Sequence, residues 1–69
     1  MEGNKTLGEL RVRTSFNPDN NSTVDQIKQK TAELINLCLQ LAAKDGRLAA
    51  IAMTTYEEAA MWAVKAATA

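Results

Sequence analysis

Beyond Pro18 the chain contains no further proline, and its one remaining glycine is Gly46. Glycine and proline are the residues that most strongly interrupt a helix. Nearly fifty residues broken once, near the middle, can therefore form two helices and little else. Thr23 followed by Gln26 three residues later has the pattern of a capping box, with Ser22 or Thr23 as the N-cap. Val24, Ile27, Thr31, Leu34, Cys38 and Leu41 then recur at spacings of three and four, which predicts one apolar stripe on a helix. Ile35, Leu37, Leu39 and Ala42 form a second. Lys44-Asp45-Gly46-Arg47 interrupts the pattern: Gly46 suits a positive φ, and Asp45 can cap the helix beyond it. In the second helix, Leu48, Ile51, Ala52, Thr55, Tyr56, Ala59, Trp62, Ala63 and Ala66 form the main stripe. Met53, Ala60, Val64 and Ala67 form the lesser one. A connection this short forces the helices antiparallel.

The first 21 residues are different. They hold Gly3, Gly8 and Pro18, and residues 9–16 alternate apolar and polar side chains, with Leu10, Val12 and Phe16 on one side and Arg11, Arg13 and Ser15 on the other. Period two reads as extended chain. With no second strand to pair with, this segment is expected to lie as an arm on the helices. Asn17 to Asn21, around Pro18, reads as a turn. The predicted fold is all-α: an antiparallel two-helix hairpin with an extended N-terminal arm, a single domain over 1–69, with the arm at 1–21 and the helices at 22–44 and 45–68.

A chain of 69 residues buries little apolar surface by itself. Cys38 is the sole cysteine, so no internal disulfide can help, and with no histidine a structural zinc site is not expected. Both helices are apolar on more than one side. Assembly into a homo-oligomer is the remaining means of stabilisation. A lone thiol fits a reducing compartment. Eight basic and eight acidic residues leave no net charge, which argues against bulk attraction to a nucleic-acid polymer or an anionic membrane. The first ten residues are polar, unlike a signal peptide.

Catalysis finds no support. Glu57 and Glu58 are adjacent, so on a helix they point about 100° apart and cannot face one another across a substrate. No base is placed to activate a hydroxyl, and no phosphate loop or dinucleotide fingerprint occurs. No catalytic residue, metal or cofactor is expected. Binding chemistry is better represented. Arg11 and Arg13, two apart on an extended arm, either form a solvated polar face or converge on one anion. Phe16 either plugs the core or stacks on a nucleobase, with the Asn17 amide beside it to bond the base edge. Lys28 flanks the buried stripe, as an ordinary lysine or a phosphate ligand. Lys65 either favours the C-terminal helix dipole or neutralises a ligand phosphate. Tyr56 and Trp62 read as core and interface anchors.

Three stretches carry a family likeness: RVRTSFNP at 11–18, Val24-Asp25-Gln26-Ile27-Lys28, and YEEAAMWAVKAAT at 56–68. Together they resemble the helical-hairpin domain of phage anti-CBASS and anti-Thoeris nucleotide sponges, over residues 7–68. The resemblance implies a hexamer of interlocked hairpins. It implies ligand pockets between subunits for cyclic GMP-AMP-like dinucleotides and for cyclic trinucleotides. It also implies sequestration without cleavage, in the cytoplasm of an infected bacterial host. Arg11, Arg13, Phe16, Asn17, Lys28 and Lys65 are the expected ligand-binding residues. The competing reading is a non-catalytic helical-hairpin adaptor that binds another protein through its apolar faces.

Overall fold

The computed structural model describes residues 6–12 and 22–69. Among these residues there are three helices and no strand: α1 (Leu7–Val12), α2 (Ser22–Leu41) and α3 (Gly46–Ala67). Lys28, early in α2, lies by Val64, late in α3. Leu41, at the end of α2, lies by Leu48 and Ala49, early in α3. α2 and α3 are therefore antiparallel.

The hairpin bend is local chemistry. The amides of Lys44 and Asp45 both donate to the Leu41 carbonyl, at 2.9 and 3.1 Å, and close α2. Asp45, in extended backbone at φ −155° and ψ 99°, is the N-cap of α3; its Oδ1 accepts from the Leu48 amide at 2.9 Å. One of the orphan donors of the first helical turn is thereby satisfied. Asp45→Ala should lower stability by about 1 kcal/mol in urea denaturation. An unchanged denaturation midpoint would show that the cap contributes nothing. Gly46 does not take the positive φ expected of it. It is the first residue of α3, and a Cβ there would meet open space. Gly46→Ala should thus raise stability, by about 0.4–1 kcal/mol, through the unfolded chain; a drop in melting temperature would contradict the helical placement of Gly46. At the other junction α2 starts with Ser22 already helical, and Gln26 Nε2 donates to Ser22 Oγ at 3.5 Å.

The core consists of Val12, Ala32, Ile35, Cys38, Met53 and Ala60, with Leu7, Ile27 and Ala52 packed on it. Val24, Thr31 and Cys38 of the expected α2 stripe are buried and Ile27 packs on the core, but the rest of the facing differs. Ile35 is completely buried, whereas Leu34 and Leu41 point outward. On α3 the lesser stripe faces inward through Met53 and Ala60, joined by Ala49, while Leu48, Ile51 and Trp62 are more than half exposed. Small side chains let the two helices approach closely, so the alanine-bearing face of α3 meets α2 and the bulky face is left outside. Tyr56 and Trp62 are consequently not core residues.

The extended-arm expectation fails for the first part of the arm. Leu7–Val12 is helical, and Gly8 and Val12, one turn apart, are its buried positions. Leu10, which the alternation placed on the inner side with Val12, is exposed. Six residues cannot hold a helix alone in water. Here Gly8 lies directly on the backbone of α2, where an added Cβ would collide with the Ala32 carbonyl. The rest of the alternation, from Arg13 to Phe16, and the Asn17–Asn21 turn lie outside the described residues.

Candidate functional site

The crossing of α1 over the open end of the hairpin creates a half-open pocket of about 370 Å³. That is within the size range of small-ligand sites. Val12 from α1 and Ala60, Met61 and Val64 from α3 form its apolar wall; Arg11, Lys28 and Glu57 supply its charge. Glu57, Ala60, Met61 and Val64 lie at i, i+3, i+4 and i+7, so one face of α3 lines the pocket.

Arg11 reaches across from α1 to α3. Its Nε donates to Glu57 Oε1 at 3.1 Å, its Nη2 lies 3.0 Å from the same oxygen, and Nη2 also donates to Thr54 Oγ1 at 3.4 Å. Both partners are about one-third exposed, so the pair adds little stability. Its consequence is geometric: three contacts fix the guanidinium plane at the pocket rim. Lys28 lies on the opposite wall, on α2, and is only 5% exposed. Lysine is almost never buried to that degree without a partner for its charge, and Lys28 is engaged within the chain. The ordinary solvated lysine considered for this position is excluded. Among the described lining residues, two cations and the Glu57 carboxylate sum to one net positive charge.

The expected site residues are thus partly assembled. Arg11 and Lys28 meet at one pocket. The strand argument that made Arg11 and Arg13 converge does not hold at Arg11, which is helical and not extended. Arg13, Phe16 and Asn17 lie outside the described residues. Lys65 is exposed on the last turn of α3, with Nζ 5.6 Å from the centre of the Trp62 ring, and does not line the pocket. That distance suits a cation–π contact. Glu57 was the missed member: weighed only as half of a catalytic pair with Glu58, it serves instead as the acceptor for Arg11. The one available signal was its i, i+3, i+4, i+7 register with Ala60, Met61 and Val64.

Among the described residues no cluster of His, Cys, Asp or Glu is suited to hold a metal ion, and no helix is long and apolar enough to cross a membrane. What fold and site define is a helical hairpin with a cation-lined pocket at its open end. The family model described as "Acb2/Tad1, hairpin domain" matches residues 8–68, and the chain belongs to this family, the anti-CBASS/anti-Thoeris sponges, which are phage anti-defence proteins and not enzymes. No curated protein and no solved structure matches the chain.

Proposed function

We propose that this protein is a phage anti-defence sponge. It binds cyclic di- and trinucleotide second messengers and holds them intact, in the cytoplasm of the infected cell. The carrying observation is the meeting of Arg11 and the buried Lys28 at one apolar-walled pocket, in a chain of the sponge family. A cyclic nucleotide offers phosphates to the two cations and base faces to Val12, Met61 and Val64. Phe16 stacks on a base and Asn17 bonds its edge; Arg13 and Lys65 serve the trinucleotide, whose third phosphate demands more positive charge. Sequestration needs mass action alone: sites in excess of messenger, with a Kd below the concentration at which the host effector responds.

The working form is a homo-oligomer, a hexamer by family analogy. Leu34, Leu37 and Leu41 share one face of α2, and Leu48, Ile51 and Trp62 one face of α3, all at least 40% exposed. Contiguous apolar surface of this kind marks an interface. The pocket is half open, which leaves room for a second subunit to complete it.

The test is calorimetric titration with a panel of cyclic di- and trinucleotides, followed by denaturation of the complex and mass analysis of the released ligand. Intact cyclic ligand is expected. Recovery of a linear product, or no binding by any member of the panel, overturns the proposal. In the second case a co-purifying protein bound to the apolar face would favour the adaptor. Light scattering should give a mass several times that of the 7.5 kDa chain; a folded monomer at micromolar concentration would exclude shared sites.

A further inference from the structure

We propose that Asn36, which does not line the pocket, is a positioning residue for it. Its side-chain amide clamps the start of α1 and so holds Arg11 at the rim. The inference rests on the sponge reading only for the ligand named in its second measurement.

α1 is six residues long, about 9 Å, and cannot persist as an isolated helix. Its anchorage is at its N-terminal end. Thr6 and Glu9 form a reciprocal box: the Thr6 amide donates to Glu9 Oε1 at 2.9 Å, and the Glu9 amide donates to Thr6 Oγ1 at 3.2 Å. That box is internal to the segment and would travel with it. Asn36 ties it to α2. Its Oδ1 accepts from the Gly8 amide at 2.8 Å, and its Nδ2 donates to Thr6 Oγ1 at 3.1 Å. One side chain therefore supplies both an acceptor for an orphan helix donor and a donor to the capping hydroxyl. Gly8, lacking a Cβ, lets α1 settle onto the Ala32 backbone one turn of α2 earlier.

At the other end of α1, Val12 enters the core and Arg11 reaches Glu57 and Thr54 on α3. α1 is thus a short strut, seated on α2 by Asn36 and Gly8 and bearing on α3 through Arg11. If the seat is lost, the partly exposed Arg11–Glu57 pair is too weak to keep the strut in place by itself. The guanidinium and the Val12 wall then leave the pocket together. Asn36 and Arg11 consequently act in series.

The first measurement needs no ligand. In Asn36→Ala, hydrogen exchange at the Gly8 and Leu10 amides should quicken about tenfold, the equivalent of one lost hydrogen bond, with α2 and α3 unchanged. Asn36→Asp keeps the acceptor for the Gly8 amide but loses the donor to Thr6 Oγ1, and should restore protection in part. Gly8→Ala, which disturbs the same seat by collision, should reproduce the Asn36→Ala result. The second measurement is a double-mutant cycle with cyclic GMP-AMP. Asn36→Ala should weaken binding in the same direction as Arg11→Ala but by less, and the double variant should be no weaker than Arg11→Ala. Unchanged α1 exchange overturns the proposal, as do losses that add, or a general loss of helicity in Asn36→Ala. If the unaltered protein does not bind cyclic GMP-AMP, the nucleotide reading falls, and the exchange result decides the seat on its own.

Discussion

Lys28→Met should weaken cyclic dinucleotide binding about ten- to a hundredfold while leaving the fold intact. Methionine keeps the aliphatic stem that fills this position and removes the ammonium. A charged hydrogen bond to phosphate is worth roughly 1.5–3 kcal/mol, which sets the size of the loss. The effect should be the largest of any pocket substitution, because Lys28 is almost wholly buried and its charge is poorly screened by solvent. Arg11, about 29% exposed and already engaged by Glu57, should cost less when truncated. The dependence of Kd on salt should flatten in Lys28→Met, since one fewer counterion is released from the ligand phosphates on binding. Lys65→Ala, on the exposed end of α3, should weaken trinucleotides more than dinucleotides. Titration of both variants with both ligand classes, after confirming oligomeric mass, gives the answer. Full affinity for both ligands in a correctly assembled Lys28→Met protein would place the phosphate site elsewhere.

Ile35→Ala should be the most damaging core substitution, at about 2–5 kcal/mol. Ile35 has no exposed surface and sits in the cluster shared by all three helices. For a domain this small, such a loss is a large fraction of total stability. Leu34→Ala, one residue earlier, removes a similar volume from a side chain that is 40% exposed. It should leave the core intact and instead reduce the oligomeric mass. Denaturation midpoints must be compared at one protein concentration, because an oligomer is stabilised by its own association. Equal losses for the two variants at high dilution, where subunits separate, would mean that α2 is rotated from the facing described here.

That pair of residues also marks how far the sequence could be read. The spacing of apolar residues placed helices at 22–44 and 45–68, where the structure has Ser22–Leu41 and Gly46–Ala67, and Asp45 announced the cap of the second. Each depends on contacts within four residues along the chain. Arg11 and Lys28 could be singled out as candidate anion ligands, Arg11 by its pairing with Arg13 on the arm and Lys28 by its place beside the buried stripe, but in each case next to an ordinary solvated reading. The rotation of each helix was not legible. α2 carries apolar residues most of the way round, so either Leu34 or Ile35 could have faced inward. The choice fell to Ile35 because close approach of α3 through Ala49 and Ala60 left space for one face and not the other.

Nor did periodicity reveal the helix at Leu7–Val12. Its local pattern alternates like a strand, and its helical form depends on Asn36 and the bare backbone surface at Gly8, 28 residues apart. Glu57 escaped notice for the same reason. Its partner Arg11 is 46 residues away, and nothing in the neighbourhood of either residue records the other. Helix identity and capping arise from short-range hydrogen bonds, which the order of residues specifies directly. Which faces meet, and which distant charges share a pocket, depends on how closely three helices can pack.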